Sequence, residues 1–524
     1  MNERLPTSSD AMLERLSTPS AVALFWIGFS IVFAAIQLLS SSTLTLDSAV
    51  TVENVQRHLA GGYQLRNPPL FDWMYYFTQS VFGEGILAHT LLRYVFFAAI
   101  GILHYVAFRQ VGCERRMAAA FSYSLIFFIW MASDFHYHYT HSLPLFVIGL
   151  AAWVTAIAYV DRPRASLAAL LGLLIGFGTI AKWSVLLPVA GTLCAFLFDR
   201  RARAALLDRR SLLILLLAIV PLIPVALWLA RVDGNVASVV HNRLVGGSAP
   251  YAERALSAIR EYLQSMVLYL LPWPIFVGLI GYLARKRESA PQPIHANARL
   301  AVAATLWTAG LGLAGVAALG VTNMGTRYMF PVLLTAPIAM AAWIAVRVDD
   351  RQFAEATIRT ATVVMIVAVV IRFWSFHILD GYLPENTEQR IPYAALTEEL
   401  TARGLGTAQF ITPSERDAGN LIAHMPEARA IALNSLRAEL PPADQLPVRP
   451  CVAIWRGSLE GSSARPELPP QPESIAVLAG TGAGRIDDIF VDWPRPLYGE
   501  DRHSVWRVMP LPDDASACRT ARGL

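Results

Sequence analysis

The sequence predicts an all-α polytopic membrane protein of about eleven spans, followed by a small C-terminal soluble α/β domain. Three observations predict it. Hydrophobic residues make up 55% of the 524 and charged residues only 16%, against roughly 25% charged in an ordinary soluble domain. The apolar residues gather in segments close to the roughly 20 residues that a helix needs to cross about 30 Å of hydrocarbon. Lys and Arg recur on alternate connections, as the positive-inside bias requires. The same composition excludes a string of small soluble domains, because so much apolar surface has no core to fill. Four cysteines exclude a disulfide-dense secreted scaffold. The net charge of +4 and the pI near 8.9 come from arginines on one set of connections, not from a nucleic-acid surface.

The spans begin with Ala21–Ser40, Leu87–Phe108, Met117–Ala132 and Leu143–Val160. Leu167–Ala181 and Trp183–Phe198 make a tight hairpin, and Leu212–Ala230, Leu263–Leu283, Leu300–Val321, Tyr328–Val346 and Ala361–Trp374 follow. The first is preceded by some 20 polar residues and lacks a small-residue cleavage site, so it reads as a span and not as a signal peptide. With residues 1–20 cytoplasmic, the groups Arg4/Arg15, Arg109/Arg115/Arg116, Arg162/Arg164 and Arg347/Arg351, and the clusters Arg200–Arg210 and Arg285–Arg287, all fall on one side. A membrane domain over 21–377 then leaves 378–524 as an extracytoplasmic domain, where Pro384, Pro413, Pro441 and Pro442 lie among mixed charge. Two long connections, 41–86 and 232–262, share its side. The first carries two candidate interfacial helices, Ala49–Ala60 and an aromatic Leu70–Phe82 entered through Asn67-Pro68-Pro69.

Residues able to carry chemistry collect on these outer connections. Asp47, just past the first span, is placed either as a base or ion ligand, or as the cap of the helix that follows. Arg66 is a cation near the outer headgroup plane. His136, His138 and His141 form a cluster that suits a divalent metal, or else ordinary interfacial aromatics. Lys182, at the tip of the tight hairpin, either snorkels or holds an anionic headgroup. His241, Arg243 and Arg327 with Tyr328 add to the same side. Several cations beside one carboxylate suit a phosphate-bearing ligand arriving from the bilayer. No Gly-rich nucleotide loop is present.

Taken in order, Asp47, the Gly62-Tyr63…Pro68-Pro69-Leu70 segment, the Thr140-His141-Ser142 turn, the Gly176–Trp183 hairpin and Arg327-Tyr328-Met329-Phe330-Pro331 resemble the integral-membrane GT-C glycosyltransferases. The match is to the branch called glycosyltransferase family 39 or 83, which includes aminoarabinose and galacturonic-acid lipid A transferases and protein O-mannosyltransferases. It runs from about residue 20 to about 430 and takes in Ala418-Gly419-Asn420-Leu421. The resemblance implies a polyprenyl-phosphate-linked sugar donor, a lipid or glycan acceptor such as lipopolysaccharide, and inverting transfer on the periplasmic face of the inner membrane. Asp47 inherits the catalytic position. Lys182, Arg327, Arg243 and Arg66 are the expected phosphate partners. Asn67, Tyr63, His141 and Tyr328 are expected on the substrate, and His241 resembles a residue that helps bind a metal. The chain departs from the family at Ser48, where many members have a second acid, and at Asn67, where many have Lys. A transporter or flippase of a lipid-linked sugar, and an inactive scaffold, are the competing readings. Cys451 and Cys518 are expected to bond if the outer side is oxidising.

Overall fold

The computed structural model describes residues 8–56, 58–232, 245, 249–285, 293–321, 324–377, 388–433, 435, 450–457, 470–479, 484–493 and 503–511. Each of the eleven apolar segments coincides with a helix or a bent pair. Six are single helices long and apolar enough to cross a membrane: Pro19–Ser40, Ile86–Gln110, Ser142–Asp161, Ser211–Leu229, Ala296–Leu319 and Asp350–His377. Ala165–Ala181 is a shorter apolar helix.

Three of the remaining four are broken, where straight spans were expected, and the fourth, Trp183–Phe198, runs unbroken to its expected end. Arg115–Phe127 and Trp130–Tyr137 meet at 68°, with a π-helical turn over Trp130–Asp134. Thr326–Val332 and Ala336–Ala345 meet at 66°. Tyr251–Leu270 and Trp273–Leu283 meet at 52° around Pro272, which has no N–H to continue the ladder. Beyond the 113° break after Phe198, the short Arg200–Leu206 helix carries three arginines, and its charge keeps it from continuing as a span.

Local chemistry explains the helix ends and their packing. The first long helix starts at Pro19 behind Thr18, whose hydroxyl accepts from the Ala21 N–H at 3.2 Å. Its Trp26 is fully buried on Gly101, where any side chain would collide with the indole, and donates to Ser122 Oγ at 2.9 Å. Ser211–Ile219 is the opposite case. It buries no residue within the protein, and Leu212, Leu215, Leu216 and Ile219 stand exposed, as lipid-facing positions should.

The C-terminal region holds a sheet of five strands among the described residues, in the order β2-β1-β3-β5-β4: β1 Gln409–Thr412, β2 Arg429–Ala432, β3 Cys451–Arg456, β4 Asp487–Asp492 and β5 His503–Leu511. β1 pairs in parallel with β2 and β3, and β5 is antiparallel to β3 and β4. The Glu415–His424 helix supplies the crossover that a parallel β1–β2 pair demands. Cys451 on β3 is disulfide-bonded, while Cys113 and Cys194 are free. Cys518, its expected partner, lies outside the described residues. Thiol-reactive mass tags on denatured protein should count two thiols before reduction and four after it; four before reduction would remove the bond.

This region is fastened to the first long connection. The backbones of the Glu415–His424 and Leu46–Val55 helices touch at Gly419, where a Cβ would lie 2.1 Å from the Ala49 carbonyl oxygen. Asn420 brackets Leu44, accepting from its N–H at 2.7 Å and donating to its carbonyl at 3.2 Å. Thr43 Oγ1 donates to the Ile391 carbonyl at 2.8 Å, and Ser41 Oγ to that of Gln389 at 2.5 Å. Gly419→Val should therefore force the two helices apart and lower stability by about 1–3 kcal/mol. Thermal unfolding reads that loss.

Candidate active site

At one end of the bundle a cavity of about 260 Å³ is bounded by Asp47, Arg66, Asn67, His141, Lys182, Arg327 and Tyr328. Seven of the residues singled out from sequence thus meet around one space, drawn from four connections far apart in the chain.

Asp47 is the second residue of the Leu46–Val55 helix, whose cap is Thr45, so the capping role weighed for Asp47 does not hold. Thr45 Oγ1 is bonded to Ser48 Oγ at 2.8 Å instead of to the backbone. Asp47 Oδ2 accepts from the Tyr139 N–H at 2.8 Å. Tyr139 presents that N–H from a φ of +71°, a left-handed conformation costing a non-glycine residue about 1–3 kcal/mol. One carboxylate oxygen is thereby held by backbone.

Behind this pair lies Arg93, buried in the Ile86–Gln110 helix. Its guanidinium donates to Ser48 Oγ at 3.0 Å, to the Phe135 carbonyl at 3.1 Å and to the His136 carbonyl. It therefore ties the helix bearing Asp47 to the turn bearing Tyr139. Sequence reading missed Arg93, although a lone arginine inside an apolar span was the available signal.

Lys182 is the extended residue between two helices, and its Nζ donates to Ser142 Oγ at 2.9 Å. Burial pushes its ammonium down to about 8, helped by Arg327 and Arg66 and opposed by Asp47. Arg327 stands on a 3₁₀ turn with its guanidinium 5.1 Å above the Tyr328 ring. Arg66 and Asn67 come from the segment entering the Leu70–Phe82 helix, which the Pro68-Pro69 pair predicted. His141 is buried and pushed down to about 3, first by burial and then by Lys182, so it lines the cavity as a neutral imidazole. Its Nε2 lies 3.9 Å from Oδ1 of the buried Asp72, a neighbour that sequence reading did not foresee.

Other expectations fail on geometry. Tyr63 is buried away from the cavity, its hydroxyl donating to the His58 carbonyl at 2.6 Å and accepting from the Ala60 N–H. It pins a turn, as does Trp73, whose indole donates to the Ala60 carbonyl at 2.7 Å. Tyr75 of the aromatic Leu70–Phe82 helix is buried too, its hydroxyl accepting from the Gly85 N–H. The three histidines are separated: His136 is stacked on Phe33 at 4.5 Å and bonded to Tyr94. Among the described residues no three His, Cys, Asp or Glu side chains are placed to hold a metal. His241 and Arg243 lie outside the described residues. Glu415, at the start of the helix docked on Asp47's own, reaches the cavity wall and was also missed. It stands three residues before the Ala418-Gly419-Asn420 motif, which was its only sequence signal.

No family model matches the chain. It is 25% identical over 498 residues to the lipopolysaccharide core galacturonosyltransferase RgtA of Rhizobium johnstonii, covering 92% of this chain and 96% of that protein. It is 24% identical to RgtB of the same organism, covering 89% and 93%. Among solved structures, ArnT from Cupriavidus metallidurans bound to undecaprenyl phosphate superposes with a TM-score of 0.57, at 12% identity and over 92% of this chain and 97% of that one.

Proposed function

We propose that this chain, an integral-membrane glycosyltransferase of the GT-C fold, moves a sugar from a polyprenyl-phosphate donor to a lipid or glycan acceptor with inversion at the anomeric carbon. The observation that carries the reading is the convergence of Arg66, Lys182 and Arg327 on the cavity that holds Asp47. The ArnT neighbour, which binds undecaprenyl phosphate, supports the donor class.

In this reading the acceptor hydroxyl enters beside Asp47, whose Oδ1 accepts the proton while Oδ2 stays on the Tyr139 N–H. The acceptor oxygen attacks the anomeric carbon from the face opposite the phosphate, and the carbon–oxygen bond to the phosphate breaks with its electrons moving onto that oxygen. Lys182, Arg327 and Arg66 stabilise the charge that grows there, in a site screened by protein and lipid. Asn67, Tyr328 and neutral His141 line the path of the sugar. No step is routed through a metal, because the described residues offer no suitable ligand set.

The relatives named as galacturonosyltransferases of the lipopolysaccharide core support a uronic acid as the sugar. The arginine asymmetry of the connections supports a periplasmic site in the inner membrane, with 378–524 as a soluble domain beside it. The disulfide at Cys451 agrees with an oxidising compartment. Mass spectra of envelope glycolipids from a deletion strain and its parent test sugar and acceptor together. Loss of a uronic-acid increment from a core species is expected; unchanged spectra would overturn the assignment.

Lys182 gives the reaction a pH signature. Its ammonium is depressed from the usual lysine range to about 8, so the cation is present below that pH and lost above it. Donor kcat/KM should fall as pH rises through about 8, while kcat holds to higher pH because bound phosphate favours the charged lysine. In Lys182→Arg the alkaline fall should disappear. A wild-type profile flat to pH 10 would contradict the role.

A further inference from the structure

The opposite end of the bundle holds a second, polar cavity of about 620 Å³. It forms where four helices begin or end at one level: Gln110 closes the Ile86–Gln110 helix, Asp161 closes Ser142–Asp161, Ala165 opens Ala165–Ala181, and His295 caps Ala296–Leu319. Arg162, Arg164, Arg201, Ser166 and His295 line it together with Asp161.

The carboxylate in this wall is already satisfied. Asp161 Oδ1 accepts from Arg201 at 2.8 Å, and Oδ2 accepts from Asn297 Nδ2 at 3.2 Å. Asn297 is buried, and its amide oxygen accepts from Arg201 in turn. Its Nδ2 also donates to the Gln110 carbonyl at 3.0 Å. The loop between the two helices is fixed as well, because Arg210 donates to the Pro163 carbonyl at 2.9 Å. On that fixed loop stand Arg162 and Arg164, whose side chains make no ion pair or hydrogen bond with a described residue. His295 Nδ1 accepts from the Asn297 N–H at 3.2 Å, so its neutral ring carries its proton on Nε2 and offers a donor there.

The cavity therefore carries two positive charges with no described ion-pair partner, on a loop held in place by Arg210. Leu167 lines the cavity as well, and Leu170, about one turn further along the same helix, is exposed. Unpaired guanidinium groups at the level of the helix ends, beside these apolar side chains, match a phosphate joined to acyl chains better than a free anion. We propose that this cavity binds the phosphodiester headgroup of an anionic membrane phospholipid, gripped by Arg162 and Arg164, with His295 and Ser166 on its glycerol hydroxyls. This site is independent of the transfer reaction and lies at the other end of the molecule.

Native mass spectrometry of the full chain in detergent, titrated with phosphatidylglycerol or phosphatidylcholine, tests it. Wild type should retain phosphatidylglycerol at least tenfold more tightly. The double variant R162Q/R164Q should lose that preference without a change in thermal unfolding, because both side chains are exposed. R209Q, which removes another basic side chain from a nearby connection, should keep the preference. An unchanged double variant, or an equal loss in R209Q, would overturn the site. Displacement of the lipid by millimolar inorganic phosphate would overturn the lipid as its ligand.

Discussion

Asp47→Asn should abolish sugar transfer while leaving expression and thermal unfolding close to wild type. The substitution keeps the shape of the side chain, and its amide oxygen can still accept from the Tyr139 N–H that Asp47 Oδ2 engages at 2.8 Å. In the proposed reaction, what it removes is the basic oxygen that takes the acceptor's proton. Loss of a positioned general base costs about 10²–10⁴-fold. Because Thr45 and not Asp47 is the cap of this helix, a stability effect from lost capping is not expected. Activity within a few-fold of wild type would remove Asp47 from the chemistry.

Lys182→Ala and Arg327→Ala should each reduce donor kcat/KM by about 10- to 150-fold, corresponding to a lost charge-assisted hydrogen bond of about 1.5–3 kcal/mol. The acceptor KM should change little, since neither cation stands on the acceptor side in the proposed geometry. The two losses should not add in the double variant. Both groups serve one phosphate in the proposed reaction, and Arg327 already disfavours the charged form of Lys182. Steady-state kinetics on a synthetic polyprenyl-phosphate sugar measure all three variants. Normal donor kinetics in both single variants would end the converging-cation account.

The spans were legible because hydrocarbon thickness dictates their length, and the alternation of arginines repeated that message from connection to connection. The bends were not. The π-turn at Trp130–Asp134 and the break ahead of Ala336 leave the apolar composition of those spans unchanged. The site was legible wherever a charge stood out from its surroundings. Asp47, Arg66, Lys182 and Arg327 are ionisable residues at the edge of apolar segments, and the fold brings all four to one cavity. Tyr63 misled because a tyrosine at an interface has the same local signature whether it meets a ligand or, as here, pins its own turn. Arg93 and Glu415 were hidden for different reasons. Arg93 works through backbone carbonyls that no spacing rule predicts. Glu415 reaches the cavity only because Gly419 lets two helices touch, a contact between residues more than 350 positions apart.

Transfer by the purified protein in detergent is the most direct test of the proposed reaction, because a transporter has no sidedness to exploit there. With a polyprenyl-phosphate uronic acid and a core glycolipid acceptor, wild type should form the glycosylated acceptor and release polyprenyl phosphate one for one. The product should have the anomeric configuration opposite to that of the donor. No product from folded wild-type protein, together with movement of the intact donor across vesicle membranes, would contradict it.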